Sequence, residues 1–236
     1  MQRRTYNKWK CLVIGVVVLM VSMSLWAKLH TKEHKNEVYL EVPKICQYPL
    51  LPTGCESVAA VMVLNYYGED ISAPSFVSEW LKCDSNFYYE DEVLYGPNPN
   101  SVFAGDPFSR NSYGCFAPVI TEAVNRNSRL CKAETIYDVS LQQLCNTYLS
   151  RSQPVLIWAT MGMKEASDGN SWILPDGNLY KWIAGEHCLV LIGYDARHYY
   201  LNDPLSGATV GYSKEIVEKR YESLGKQAVI ISLKEV

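Results

Sequence analysis

One cysteine of this chain stands where a thiol can be activated. Cys55 directly follows the turn sequence Pro-Thr-Gly and begins the apolar run CESVAAVMVLNYYG, whose pattern predicts a helix. The free N–H groups and the dipole at a helix N-terminus favour a thiolate over a thiol. Because the thiolate is the reactive form, this position indicates a nucleophile for covalent catalysis. The alternative role for a single cysteine is a small buried apolar residue or a disulfide partner.

Two residues far along the chain could assist such a nucleophile. His187 stands at the head of the apolar segment HCLVLIGYD, and Asp203 ends the segment HYYLND, where Pro204 stops the ladder of hydrogen bonds. Neighbouring strands would place the carboxylate beside the imidazole, which is how a base is held by an orienting group. The alternatives are a hydrogen-bonded core histidine and an aspartate that forms a turn.

The elements that must position these residues are helices early in the chain and strands late in it. Ser72 and Ser140 are predicted to cap two further helices, and APVITEAVNRN has a helical pattern. From PVLIWATM onward the pattern is mostly that of strands, and Asp-Gly in SWILPDGNLYKWI predicts a hairpin turn. Helices first and antiparallel strands later indicate an α+β fold rather than a doubly wound parallel sheet.

The amino-terminal segment differs from the rest of the chain. Basic residues without an acid precede the uncharged residues 11–27, which as a helix would span roughly 26 Å, close to the roughly 30 Å of a bilayer core. We predict an uncleaved membrane anchor with its basic flank in the cytoplasm and the later residues outside. A cleaved signal peptide is the alternative, disfavoured because bulky Leu25 stands where a small residue is normal. The predicted organisation is an anchor with its flank (residues 1–28), a linker (29–37) and a folded domain (38–236).

Composition and spacing limit the other classes of function. A formal net charge of -3 over 236 residues gives no basic field of the kind that nucleic acid requires. The four histidines are scattered and no CxxC pair exists, so we predict no metal site and no cofactor. Of the eight cysteines, Cys11 lies in the predicted anchor and Cys55 is assigned to chemistry. The remaining cysteines have the parity for up to three disulfides.

Cys55, His187 and Asp203 follow the chain order of papain-type cysteine enzymes, and longer blocks carry a closer resemblance. The chain resembles papain-fold peptidases related to the double-glycine leader peptidases of bacteriocin exporters, in particular their stand-alone, surface-anchored relatives. The blocks are CQYPLLPTGCESVAAVMVLNYYG, GEHCLVLIGYD and YYLNDPLSG. The resemblance covers nearly all of residues 38–233 and implies a helical half, bearing the nucleophile, packed on an antiparallel sheet.

By this resemblance Cys55 is the nucleophile, His187 the general base and Asp203 the residue that orients the base. Gln47 resembles the glutamine of the oxyanion hole, whose amide would join the Cys55 backbone N–H around the developing charge. Gln47 lies farther from Cys55 than in papain-type enzymes, so either the segment YPLLPTG bulges to absorb the difference or Gln47 is only a polar turn residue. The exporter peptidases are cytoplasmic and fused to membrane pumps, so their leader-peptide substrate does not transfer to this chain.

The resemblance also bears on residues 83–113, a long segment without a regular pattern and rich in aromatic residues. In papain-like folds such a segment walls one side of the groove, where Glu90, Asp91 and Glu92 would favour a basic residue on a peptide. A covering loop that buries its own rings is the alternative.

Together these features predict a membrane-anchored, extracytoplasmic cysteine peptidase. It would cleave a peptide or protein through a Cys-His-Asp triad and an acyl-enzyme. Two alternatives stay open at this point. One is a non-catalytic peptide-binding module on a peptidase fold, and the other is an acyl transferase that uses the same triad.

Overall fold

The described part of the chain, residues 37–235 of a computed structural model, is built around one antiparallel sheet. The predicted anchor at residues 1–28 lies outside the described residues, as does all of the predicted linker except Glu37. Within residues 37–235 no helix has the length and apolar character needed to cross a membrane.

The elements have the following bounds. The strands are β1 (Val38–Tyr39), β2 (Cys83–Asp84), β3 (Tyr88–Glu90), β4 (Val93–Tyr95), β5 (Phe103–Ala104), β6 (Cys131–Tyr137), β7 (Val155–Thr160), β8 (Ser167–Ile173), β9 (Leu179–Ala184), β10 (Glu186–Tyr194), β11 (His198–Asp203), β12 (Ala208–Ser213) and β13 (Gln227–Leu233). The helices are α1 (Cys55–Tyr66), α2 (Ala73–Ser75), which continues as a π-helical turn (Phe76–Trp80), α3 (Ala117–Asn127), α4 (Leu141–Thr147) and α5 (Lys214–Ser223). Single 3₁₀ turns occupy Leu149–Arg151 and Met161–Met163.

The main sheet carries two of the predicted site residues on adjacent strands. Its strand order is β12-β11-β10-β7-β13-β6, β1 also pairs with β10, and every pair is antiparallel. His187 is the second residue of β10 and Asp203 is the last residue of β11. All nine residues of β10 are buried, which explains why the sequence after Glu186 and His187 is a nearly continuous apolar run. The predicted α+β fold with an antiparallel sheet is confirmed.

Helix α1 is buried on all sides rather than along one stripe. The ten residues from Cys55 to Leu64 are all buried, and the helix packs against β10, α2 and α3. A helix that is apolar all round is typical of a core position. Its first residue, Cys55, therefore starts in the interior, beside the strand that carries His187.

The structure contains the two helix caps and the hairpin turn that the sequence predicts. The Ser72 side chain accepts the Ser75 N–H, and Ser140 forms a reciprocal capping box with Gln143. Strands β8 and β9 form the predicted hairpin, and Gly177 in its turn has a φ of +84°, a conformation that favours glycine.

Residues 83–113 are more regular than their sequence suggests. Strands β3 and β4 form a hairpin that joins β8 and β9 in a second, four-stranded sheet. Glu90, Asp91 and Glu92 stand exposed at the turn of this hairpin. The rings of Phe87 and Tyr113 instead pack on Trp172, as the covering-loop alternative expects.

The cysteines are not paired. All seven within residues 37–235 are free thiols, five of them buried and two, Cys46 and Cys83, exposed. The three disulfides that cysteine parity allowed are therefore not formed in this structure.

Gly207 lets the turn after β11 approach the segment that holds Gln47. Its φ is +65°, and a Cβ atom there would lie 2.8 Å from the Cβ of Cys46. The Gln47 N–H donates to the Pro204 carbonyl at 2.8 Å across the same junction. The end of β11 and the turn before α1 are thus held together by close backbone contact.

Replacing Gly207 by alanine should separate these two segments. We expect Gly207→Ala to lower the free energy of unfolding by about 2–4 kcal/mol, since a left-handed conformation and a steric clash both act against it. Gly225→Ala is the matched control: its φ is +83°, but a Cβ there meets nothing within 4 Å, so it should cost only about 1–2 kcal/mol. Urea unfolding measures both, and equal losses would show that the contact with Cys46 is unimportant.

Candidate active site

A cleft of about 480 Å³ brings together three of the four predicted site residues: Gln47, Cys55 and His187. The turn before α1 and the β8–β9 hairpin with Trp182 both line the cleft. Residues 83–113 contribute Arg110, Ser112 and Tyr113 to the lining. The acidic residues of the β3–β4 turn do not line the cleft, so their predicted contact with a basic peptide residue gains no support here.

His187 and Asp203 are joined by a buried hydrogen bond. His187 Nε2 lies 2.6 Å from Asp203 Oδ1, and only 1% of the His187 surface is exposed. Burial by itself would raise the pKa of Asp203, but the hydrogen bond and charge of His187 and the N–H of Leu205 hold that pKa below its ordinary value. Asp203 is therefore an ionised acceptor, which requires the ring proton of neutral His187 to sit on Nε2.

The other ring nitrogen of His187 is left as the basic one. With the proton on Nε2, Nδ1 keeps its lone pair. Nδ1 is buried and has no hydrogen-bond partner within residues 37–235. A lone pair without a partner at a cleft is available to take a proton from a bound or neighbouring group.

The Cys55 sulfur contacts helix and strand groups around the cleft rather than the imidazole. Its thiol donates to Glu56 Oε2 at 3.3 Å and accepts the Cys188 N–H at 3.5 Å. Among the described residues no hydrogen bond joins Cys55 to His187. Catalytic hydrogen bonds of this kind are often long in a ligand-free enzyme and tighten when substrate binds.

The electrostatics at Cys55 differ from the expectation for a helix N-terminus. Burial raises the pKa of the Cys55 thiol well above its ordinary value, and the charges of Glu56 and Glu186 raise it further. Desolvation and two acidic neighbours therefore outweigh the helix dipole, and the resting group is a thiol.

Gln47 is buried beside the cleft, in a turn that folds back on itself. Its backbone carbonyl accepts the Leu51 N–H at 2.8 Å, and its side-chain Nε2 donates to the Pro52 carbonyl at 2.8 Å. This turn takes up the extra length between Gln47 and Cys55. One N–H of the Gln47 amide remains for a ligand, and its oxygen Oε1 is buried without a partner in the described residues.

Two glutamates next to predicted site residues in the sequence meet at the sulfur. Glu56 follows Cys55, Glu186 precedes His187, and one side-chain oxygen of each lies with the Cys55 sulfur in a group no wider than 4.8 Å. Glu56 is fully buried and 4% of the Glu186 surface is exposed. Burial raises the pKa of Glu56 to about 7, and burial together with the charge of Glu56 raises the pKa of Glu186.

A glycine makes room for this acid pair. A Cβ atom on Gly114 would lie 2.5 Å from Glu56 Oε1 and 3.1 Å from Glu186 Oε2. The following residue, Cys115, donates its N–H to Glu56 Oε1 at 2.6 Å and accepts the indole N–H of Trp158 at 2.9 Å. The irregular segment before α3 is thus fixed against both carboxyl groups.

Glu56 is hydrogen-bonded through both of its carboxyl oxygens in this structure. Each oxygen of Glu56 already has a protein partner, the Cys115 N–H or the Cys55 thiol. No histidine takes part in the cluster. The expectation that the chain uses neither metal nor cofactor stays a prediction.

Sequence reasoning missed Glu56 and Glu186. The available signal was an acid inside an otherwise apolar helix and an acid at the head of an otherwise apolar strand. Because buried acids are rare unless they are paired or functional, each position called for a partner.

Comparison with known proteins identifies relatives of this chain. The profile of the Peptidase_C39 like family matches residues 39–229. The uncharacterized protein YvpB of Bacillus subtilis (strain 168) is 25% identical over 185 residues, which cover 78% of this chain and 70% of YvpB.

Solved structures are similar as well. The crystal structure of a putative C39-like peptidase from Bacillus anthracis superimposes with a TM-score of 0.74 at 26% identity, and covers 86% of this chain and 100% of its own. A double glycine motif protease from an AMS/PCAT transporter, solved in complex with the leader peptide, has a TM-score of 0.49 at 16% identity over 84% of this chain and 95% of its own. The family match confirms the resemblance drawn from the sequence blocks.

The buried Glu56 carboxyl should make the fold less stable as the pH rises towards neutrality. Its pKa is about 7 in the folded chain against an ordinary value of 4.5, so between these values the unfolded chain releases a proton that the folded chain still holds. Unfolding is then favoured by on the order of 3 kcal/mol across the window. Glu56→Gln cannot titrate, so its free energy of unfolding in urea should fall less over the same window. A wild-type-to-variant difference that does not change with pH would contradict this account.

Proposed function

Because the chain belongs to the Peptidase_C39 like family, we propose that it is a cysteine peptidase with Cys55 as nucleophile, His187 as base and Asp203 as the residue that orients the base. The observation that carries the proposal is the 2.6 Å contact between His187 Nε2 and Asp203 Oδ1. It reserves Nδ1 for proton transfer in the same cleft that holds Cys55.

The reaction would proceed through a thioester. His187 Nδ1 takes the Cys55 thiol proton as the sulfur attacks the carbonyl carbon of a peptide bond, and the same nitrogen then returns that proton to the leaving amine. Water, deprotonated by His187, hydrolyses the thioester and restores the thiol. Asp203 holds the ring in one tautomer and stabilises the imidazolium that forms in each half of the reaction.

The negative charge on the carbonyl oxygen needs donors during both steps. The backbone N–H of Cys55 is one of the first N–H groups of α1, which have no partner within the helix. The free N–H of the Gln47 side-chain amide is the second proposed donor. Both belong to buried groups at the cleft, where a hydrogen bond to a developing oxyanion is worth more than in water.

Substitutions of the triad should separate its three roles. With an unfolded protein such as casein as substrate and mass spectrometry of the products, Cys55→Ala and His187→Ala should lower turnover by about 10³-fold or more. Asp203→Asn keeps an oxygen for the Nε2 proton but loses the charge, so its loss should be milder, on the order of tenfold. The control Cys145→Ala removes a thiol on α4, which does not line the cleft, and should leave turnover unchanged. Cleavage by Cys55→Ala at the wild-type rate would eliminate the proposed nucleophile.

The location of the enzyme is a separate part of the proposal. Basic residues followed by the uncharged residues 11–27 support a single-pass anchor, with the peptidase domain on the outer side of the membrane.

We expect the full-length chain to sediment with membranes, to retain its N-terminus and to be digested by external protease in intact cells. Val17→Lys places a charge in the middle of the apolar run, at a cost of about 3 kcal/mol for insertion, and should weaken membrane retention. Isolation of a soluble form that begins at or after Lys28 would instead indicate a cleaved signal peptide.

A further inference from the structure

Glu56 is the side chain at the Cys55 sulfur that the proposed mechanism leaves without a role. Its Oε2 lies 3.3 Å from Cys55 Sγ, and its Oε1 accepts the Cys115 N–H at 2.6 Å. The short N–H bond favours the acceptor role for Oε1, so a proton on this carboxyl is favoured on Oε2, which keeps a second lone pair besides the one that faces the thiol. A proton on Oε2 lies beside the nucleophile.

We propose that Glu56 is a further catalytic residue, whose protonated carboxyl donates a hydrogen bond from Oε2 to the Cys55 thiolate. The proposal rests on the function proposed above for Cys55 and His187. In the step it assists, the S–H bond breaks and the proton forms an N–H bond at His187 Nδ1. The proton of Glu56 stays on Oε2 and turns towards the sulfur, so no proton enters or leaves the site.

The charges around the sulfur require such a neutral donor. The titratable and charged groups around this cluster and its cleft are Cys55 on α1, Tyr48 before it, Cys83 on β2, Arg110, Tyr113 and Cys115 before α3, Tyr180 on β9, and Glu186, His187 and Cys188 on β10. Within residues 37–235 no lysine or arginine hydrogen-bonds to Glu56 or Glu186. If both carboxyls were ionised, a thiolate would be the third buried negative charge against one imidazolium, which burial strongly disfavours.

The remaining buried acid fits the same account. Glu186 lines the cleft with its Oε1 unpartnered, although it is almost fully buried. A neutral carboxyl tolerates such a position far better than a carboxylate. Burial raises the pKa of both glutamates, so each is protonated on the acid side of neutrality.

The arrangement has a consequence for pH. As the pH rises through about 7, Glu56 ionises, the donor is lost and a negative charge appears beside the sulfur. The thiolate that forms when His187 takes the Cys55 proton is then less stable, so the fraction of Cys55 present as thiolate falls. Below this range the donor is present and stabilises that thiolate each time it forms.

Alkylation of Cys55 by iodoacetamide, followed by peptide mapping, tests this without any peptide substrate. In the wild-type chain the rate constant for alkylation of Cys55 should fall by roughly three- to tenfold between about pH 6 and 8, because the thiolate loses a charge-assisted hydrogen bond. The fall is not larger because the remaining thiolate is more basic and therefore more nucleophilic. In Glu56→Gln the amide still accepts from Cys115 and donates to the sulfur at every pH, so this fall should disappear. Profiles for wild type and Glu56→Gln that coincide would overturn the proposal.

Two matched variants assign the effect. Glu186→Gln leaves Glu56 able to ionise, so the Cys55 alkylation rate should still fall between about pH 6 and 8. If the rate instead falls in Glu56→Gln but not in Glu186→Gln, the group that titrates is Glu186 and the proposal is wrong. Glu79→Gln, the same change at an exposed surface acid, should match the wild type. These outcomes can be told apart from a failure of the proposed function. If the wild type cleaves peptides but its alkylation profile matches that of Glu56→Gln, only the role of Glu56 is removed. If alkylation depends on pH as expected but no peptide is cleaved, only the peptidase assignment is removed.

Discussion

The hydrogen bond from a buried imidazole Nε2–H to a carboxylate fixes both the tautomer and the orientation of the ring. The organisation of this site depends on that bond. His187 is held by β10 and Asp203 by the end of β11, so the 2.6 Å bond between them depends on the antiparallel pairing of those strands. The turn after β11 is fastened in its own right, because the Leu205 N–H donates to Asp203 Oδ1 and the Pro204 carbonyl accepts from Gln47. The base, its orienting residue and the proposed oxyanion donor are thereby held by one continuous set of hydrogen bonds.

The nucleophile is governed by a different balance. A helix N-terminus stabilises a thiolate by a modest amount, while full burial and nearby carboxylates oppose it by more. At Cys55 the second effect dominates in the resting state, and the thiol pKa is raised. Reactivity then has to come from groups that lower the energy of the thiolate once it forms. The Cys188 N–H already donates to the sulfur, and the imidazolium of His187 and the neutral Glu56 that we propose would add to it.

Most of the framework could be predicted from local pattern, because the signals involved are close together in sequence. The caps at Ser72 and Ser140 and the turn at Gly177 each depend on two to four neighbouring residues. The strands within residues 83–113 are only two or three residues long, too short for an alternating pattern to show. The meeting of Glu56 and Glu186 is a product of tertiary packing between α1 and β10, which no local signal contains. For the same reason the sequence predicted the helix dipole at Cys55 but not the burial that opposes it.

Gly114 lies so close to the carboxyl groups of Glu56 and Glu186 that the residue types at positions 56, 114 and 186 depend on one another. Any side chain at 114 would occupy the space that Glu56 Oε1 and Glu186 Oε2 fill, and displacing Glu56 would also strip the Cys115 N–H of its acceptor. Relatives that carry a larger residue at the position of Gly114 therefore have no room for two glutamates of this length. Positions 56, 114 and 186 are thus sterically coupled, and a larger residue at 114 is compatible only with shorter side chains at 56 and 186, that is, with loss of the acid pair.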